Sequence, residues 1–435
     1  MTETALEEVI PEKAFATILE AESETFFRLS STILPRPDEE WTRSYLYELV
    51  SESDSIEALL DDYGARHNRT FSMTRELVAS IRGIALAGFS IVHLERRFES
   101  YGAILSSREA DAALGSIRRS RAFLLAALRT LLVAVREECR GIGVRVPDEP
   151  FEENRSAGEG PLKRLPRNVD QEDLEDDEQK VAEVAAKFLQ VCGMFEDIAV
   201  RRILDDKERE DYLRSVCSEE QARVYEATVH NLQSAYDTWV KSTALEAGDP
   251  RLAKLRGHAS AALHLLEAVT HLVHFVERHE SGLRHEATER RIAILVDRAQ
   301  VRDVTLNHLL YWATQIVRRG RPLAEDLLPT YTNVQILDVA LGEDLNLHAR
   351  PAALIVGIVN RYGTPVEMEI EGRTCNAASI LELMVAVGSH PNARRFRFRG
   401  DEKPLRDIDL LFRSGLGERG IDGLPADLAY LRGSA

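Results

Sequence analysis

The chain has 435 residues, 44% hydrophobic and 29% charged, with a formal net charge of −17. That length suits roughly two to four domains with sizeable cores. The acidic balance excludes nucleic acid or an anionic membrane as the main partner, since both call for a dominant basic surface.

No run of about 18 apolar residues is uninterrupted, so no membrane insertion is expected. The opening stretch from Met1 to Glu8 is acidic where a secretion signal is basic. Cys139, Cys192, Cys217 and Cys375 form no C-x-x-C pair and are expected as free buried thiols in a reducing compartment. A cytoplasmic protein follows from these three readings.

In chain order, residues 13–145 read as long amphipathic helices. Breaks are expected at Pro35-Arg36-Pro37, around Gly64 to Asn68, and near Ser106-Ser107, with Phe71 to Ser100 as one helix or a kinked pair. Residues 147–178 collect prolines, Gly158, Gly160 and an acidic run from Asp170 to Glu178, the composition of a mobile linker. Helices resume near Gln179 and run to about Leu328, where Pro329 introduces a different pattern.

The two helical blocks read as a duplication. A gapless shift of 181 positions pairs Val92-His93 with Val273-His274, Arg97 with Arg278, and Glu99-Ser100 with Glu280-Ser281. It also brings Arg121 onto Arg302 and several leucines onto leucines, so two related helical bundles in tandem are expected. His93 and His274 are then pseudo-equivalent, and spacings of three and seven put His264, His271 and His274 near one helix face. The paired Glu-x-x-His motifs of di-iron bundles and the His-Glu-x-x-His motif are both missing from the sequence. The expectation is therefore no metal and no cofactor, with histidines retained in the bundle for structure. His93 and His274 are the candidates should a metal bind.

The tail alternates differently. Val334 to Leu341 reads as a half-buried strand, Pro351 to Arg361 as a helix, and Val366 to Ile370 as a second strand. Gly372 marks a hairpin turn, and Ser379 stands where an N-cap belongs for a helix running to about Val387. Arg394 to Arg399 closes as a strand with Phe396 and Phe398 on one face and arginines on the other, a local basic patch.

Within this tail, Asn346-Leu347-His348-Ala349-Arg350-Pro351-Ala352 puts an imidazole, a guanidinium and a helix-starting proline within four consecutive positions. Pro351 predicts a helix beginning at about Ala349 to Ala352, because a first-turn residue has no need of its N–H. His348 would then face a helix N-terminus, where unpaired N–H groups and the macrodipole favour an anion, and Arg350 adds a fork shaped for phosphate oxygens. Downstream lie Gly372-Arg373-Thr374-Cys375-Asn376-Ala377-Ala378-Ser379-Ile380 and then Gly415-Leu416-Gly417-Glu418.

In order and spacing these three segments resemble the histidine-containing phosphocarrier protein HPr, over roughly the last 100 residues. The resemblance implies a β-α-β-β-α-β-α open sandwich. It implies that His348 carries a phosphoryl group and Arg350 helps hold it. It also implies that Ser379 matches a regulatory serine offered to a serine kinase, and that Ile380, Leu381 and Met384 dock partners. On periodicity alone those three apolar residues are equally good core. The implied partners are an enzyme I-like donor and a IIA-like or other protein acceptor. Asn346 stands where the family usually has glycine, Ala378 replaces the usual lysine, and the segment from Asp401 to Leu411 looks about one turn short for the last helix.

The expected architecture is therefore multidomain: all-α tandem bundles over residues 1–146 and 179–329, joined by the linker 147–178, followed by an α+β open-faced sandwich at 330–435. No Gly-x-x-x-x-Gly-Lys-Ser/Thr loop occurs, which argues against a fused kinase. The expected activity is a phosphohistidine carrier in a phosphotransferase-type or regulatory relay, a shuttle and not a turnover enzyme, with the helices as a sensing or interaction module. The alternative is a regulatory scaffold that docks partners without taking phosphate.

Overall fold

The computed structural model describes residues 9–151, 177–280, 286–342, 345–418 and 420–433, so most of the expected linker and the acidic first eight residues lie outside the described residues. The described chain forms two compact units. The first draws on residues 9–151, 195–230, 257–280 and 286–319, and the second on 177–194, 231–256 and 320–433.

The helical elements are α1 (Glu12–Glu22), α2 (Glu24–Ile33), α3 (Arg43–Asp62), α4 (Ser72–Arg97), α5 (Ser107–Gly141), α6 (Asp177–Ile198), α7 (Asp206–Val216) and α8 (Glu219–Trp239). They continue as α9 (Ala244–Gly248), α10 (Pro250–Glu280), α11 (Glu286–Leu295), α12 (Arg298–Asp303) and α13 (Tyr311–Thr330). The breaks fall where the sequence places them. Asp38–Glu40 is a 3-10 turn after Pro37, Ala65–His67 another after Gly64, and Ser106 opens α5 through a capping box with Glu109. Phe71 to Ser100 resolves into the single helix α4 and a short 3-10 turn at Glu99–Tyr101.

One boundary needs correction. The helix expected to stop near Leu328 carries both Pro322 and Pro329 and ends at Thr330, and it follows a π-helical segment at Val304–Leu310.

In the first unit α4 packs against both α3 and α5 and is buried on most sides, with Leu77, Ile81, Ile84 and Leu94 wholly enclosed. Helix Ser72–Arg97 and the stretch Pro250–Arg278 are long and apolar enough to cross a membrane, but 67% and 78% of their apolar windows are buried inside protein. Arg75 ties α4 to α3 through Glu57 and Asp61 at 2.9 and 2.7 Å.

The second unit contains the sandwich. Its order is β1 (Val334–Ala340), α14 (Ala349–Tyr362), β2 (Val366–Ile370), β3 (Arg373–Asn376), α15 (Ile380–Ser389), β4 (Arg395–Asp401) and α16 (Glu402–Arg413). The sheet runs β1-β4-β2-β3 with every described pairing antiparallel. Helices cover one face, where Ile355 and Ile358 of α14, Leu383 of α15 and Ile408 and Leu411 of α16 meet Met368, Phe396 and Phe398. Glu371 and Gly372 both take positive φ and turn the β2–β3 hairpin as expected.

The open face differs from the expected basic patch. Arg397 stands across from Asp338 and Glu369, and Arg399 across from Glu367, so cross-strand carboxylates offset two arginines of the stripe, while Arg395 stands across from Ala340. Val334 and Ile336 lie on this exposed face, and only Leu337 and Val339 of β1 turn to the core. Helix α14 begins at Ala349 and α15 runs to Ser389, each slightly longer than expected.

The apparent shortage at the last helix is made up beyond it. Helix α16 spans three turns, and a 3-10 segment at Ala426–Gly433 adds Leu428 and Leu431 to the core. Tyr430 and Tyr362 both donate to the buried carboxylate of Asp407, at 2.7 and 2.8 Å. At the far end of α14, Gln179 of α6 donates to the Tyr362 carbonyl at 2.9 Å. Gly363 closes α14 in the left-handed region, and an added Cβ there would meet Glu183 Cγ at 2.5 Å.

Candidate active site

His348 is the N-cap of α14, and its own ring performs the capping. Its Nδ1 accepts the N–H of Arg350 at 3.3 Å, so the imidazole edge points at the positive end of the helix. Pro351 falls in the first turn, as its missing N–H permits. Asn346, which stands where the family usually has glycine, is not among the positive-φ residues, and the helix cap is His348 itself.

The second ring nitrogen meets a residue from the far end of the domain. Glu418 Oε1 lies 2.6 Å from His348 Nε2. The turn that delivers Glu418 runs through Gly415, Leu416 and Gly417, all at positive φ. Leu416 is fully buried and anchors the turn, while a Cβ on Gly417 would meet Leu354 Cδ1 at 2.7 Å. The spacing of the closing glycines is thus what brings a carboxylate to the imidazole. The motif contained Glu418, but nothing in its sequence position told that it would face His348 some 70 residues away.

Contact with a carboxylate fixes the tautomer of a neutral imidazole. Glu418 can only accept, so Nε2 holds the proton and Nδ1 presents its lone pair toward the helix N-terminus. His348 is 49% exposed and Glu418 34% at the side chain, which leaves Nδ1 reachable by another protein. Arg350 is exposed and its guanidinium has no ion pair among the described residues. Arg394 braces the approach to the site by donating to the carbonyls of Gly342 and Leu345 at 2.8 and 2.9 Å.

Ser379 caps α15, accepting the Glu382 N–H at 3.3 Å, while Glu382 accepts the Asn376 N–H at 2.9 Å. Beyond it the helix turns Ile380, Leu381 and Val385 to solvent, Leu381 at 72% exposure, and leaves Met384 partly buried against the core. Periodicity could not separate docking face from core. The structure turns Ile380 and Leu381 away from the core, and with them Val385, a β-branched residue with no motif to mark it. A cavity of about 730 Å³ between α6 and the hairpin is lined by Glu183, Lys187, Asn360, Asn376 and Glu382, away from His348. A group passed between proteins suits an exposed ridge better than an enclosed pocket.

Residues 338–391 match the family model described as the PTS HPr component phosphorylation site. The C-terminal domain is HPr-like. Strand order, helix placement and the matched segment agree, and the match points to a phosphocarrier-type role and to interaction with partners of the phosphotransferase system in general. No family match covers the helical region before the HPr-like domain. No solved structure matches the chain.

The histidines of the helical unit have partners of their own. His93 Nε2 lies 3.1 Å from Tyr101 Oη and its ring packs on His264, whereas His274 Nδ1 lies 2.9 Å from Glu219 Oε2 without hydrogen-bond geometry. Burial and the neighbouring His264 push the pKa of His93 down to about 4. Among the described residues no group of three or more His, Cys, Asp or Glu side chains is arranged to hold a metal. All four cysteines are free and buried, and burial pushes the Cys139 and Cys217 thiols up to about 12.

Proposed function

We propose that the HPr-like domain is a phosphohistidine carrier whose acceptor atom is His348 Nδ1. The observation that carries this reading is the pair of opposed contacts on one ring, Glu418 at Nε2 and the Arg350 N–H at Nδ1. In the transfer, the Nδ1 lone pair attacks the phosphorus of a phosphorylated donor, the N–P bond forms, and the bond from phosphorus to the donor breaks. The electron pair of that bond leaves with the donor. The ring gains positive charge, and Glu418 stabilises it through the Nε2–H. The Arg350 N–H turns from Nδ1 to a phosphate oxygen, and its guanidinium supplies a second, bidentate set of donors.

An enzyme I-like protein is the proposed donor and a IIA-like protein or other regulatory component the acceptor, with docking through Ile380, Leu381 and Val385. A relay of this kind is a cytoplasmic activity. The helical region is proposed as its sensing or interaction module, built from a tandem repeat. Supporting the repeat, the 181-residue shift carries α4 onto residues 253–278, inside α10, and α5 onto residues 288–322, within the span of α11 to α13.

The test is phosphoenolpyruvate-dependent labelling of the intact protein with enzyme I, comparing wild type with His348→Ala by mass and acid lability. Acid-labile label on wild type and none on the variant is expected. A silent wild type, beside an enzyme I active on its usual carrier, overturns transfer and leaves a docking scaffold.

A further inference from the structure

In the first unit two imidazole nitrogens meet one tyrosine oxygen. His93 comes from α4, His264 from α10, and Tyr101 from the 3-10 turn after α4. Tyr101 Oη lies 3.1 Å from His93 Nε2 and 3.0 Å from His264 Nε2, and the two imidazole rings stand edge to face with centroids 4.7 Å apart. The other nitrogen of His264 is held from behind, with Nδ1 2.9 Å from Glu267 Oε2. Ser90 donates to that same carboxylate oxygen at 2.8 Å.

The loop bearing Tyr101 is clamped by the helix that bears His264. A Cβ on Gly257 would fall 1.7 Å from the Tyr101 carbonyl oxygen, so α10 meets that loop through a bare Cα. The next residue, His258, is fully buried; its Nε2 accepts the Ile104 N–H at 2.8 Å and its Nδ1 donates to the Ile316 carbonyl at 2.7 Å. Gly257 and His264 are seven residues apart and share a helix face. Tyr101 is therefore positioned by backbone contacts made on the same face that presents His264.

We propose that His93 Nε2, His264 Nε2 and Tyr101 Oη form a binding site for a divalent transition-metal ion of the zinc type, with Glu267 orienting His264. The spacing fits. Ligands about 2.0 Å from a tetrahedral ion stand about 3.3 Å from one another, a few tenths of an ångström beyond the two separations from Tyr101 Oη to the imidazole nitrogens. Two imidazoles with one oxygen donor suit zinc and its neighbours, and the Glu267 contact is the carboxylate–histidine arrangement that fixes a ligand's tautomer with its lone pair toward the metal. On binding, the Tyr101 O–H bond breaks, the phenolate oxygen joins the ion, and the proton leaves to solvent. His264 and Glu267 are both partly exposed, which leaves a route in for an ion.

The site was hidden in the sequence because His93 meets His264, which the repeat does not pair with it, and because tyrosine belongs to no metal motif there. The test uses the full-length protein, stripped with chelator and titrated with Co²⁺, then with Zn²⁺ in competition. One equivalent of Co²⁺ with the visible bands of a tetrahedral centre is expected, with about one proton released per ion. Tyr101→Phe removes the proton release and the oxygen ligand, and Glu267→Gln weakens binding about 10-fold. The double variant His93→Ala/His264→Ala abolishes the bands, with circular dichroism confirming its helices. Absent bands in wild type, or affinity unchanged in Tyr101→Phe and the double variant, would overturn the proposal and leave the three groups as a hydrogen-bonded relay.

Discussion

Replacing Glu418 by glutamine tests the carrier site most directly. The substitution keeps shape and removes the charge that faces His348 Nε2 at 2.6 Å. Opposite charges at about 4 Å interact by about 1 kcal/mol in water and about 4 kcal/mol at the effective dielectric of a protein surface. With side chains 49% and 34% exposed, the lower part of that range applies, about 1–2 kcal/mol. Expressed in the transition state, that is about a 5- to 30-fold loss of phosphotransfer rate. The amide can also donate to Nε2 and so admit the tautomer with the proton on Nδ1, the wrong nitrogen for attack. Rapid-quench transfer from phosphorylated enzyme I measures the rate, and nitrogen chemical shifts of the His348 ring report the tautomer. Both partners are surface groups, so global stability should change by no more than about 0.5 kcal/mol. A Glu418→Gln protein that accepts phosphoryl groups at the wild-type rate, with its ring still protonated at Nε2, would refute the assigned role of the carboxylate.

Leu381→Asp should leave thermal unfolding unchanged, since the side chain is 72% exposed, yet weaken donor binding about 10-fold or more in a titration; unchanged affinity removes the docking face from α15. Burial holds His258 near pKa 4, so an unfolded chain binds more protons than the native one between about pH 6.5 and 4. Stability should fall as pH drops through that window, by up to about 3 kcal/mol from this group, and the difference between urea midpoints at pH 7 and pH 5 should shrink in His258→Phe without vanishing, since His93 and His271 carry the same depression. Gly363→Ala forces a left-handed alanine against Glu183 and should cost about 1–2 kcal/mol in chemical denaturation, and a neutral result would show that the helix end relaxes. Leu431→Ala should cost about 2–4 kcal/mol, because the side chain is buried in the sandwich core; a smaller loss would make the 3-10 segment an ornament to the domain.

Local chemistry made much of this protein readable along the chain. Pro351 marked the start of α14, Gly372 the hairpin and Ser379 the cap of α15, because each obeys a constraint that acts within a few residues. The alternation of Phe396 and Phe398 with arginines showed which face of β4 is buried, and His348 with Arg350 marked the candidate site within four consecutive positions. What a face meets is a different matter. Cross-strand carboxylates offset Arg397 and Arg399, and the left-handed Gly415-Leu416-Gly417 turn brought Glu418 to an imidazole across the domain. Likewise Tyr101 reached His93 and His264 only through the clamp at Gly257 and His258. Helix periods, caps and turns follow from the torsions of neighbouring residues, so sequence determined them by itself. The contacts of Glu418 with His348, Arg397 with Asp338 and Tyr101 with His264 join chain segments 70, 59 and 163 residues apart, and only the tertiary structure decided those.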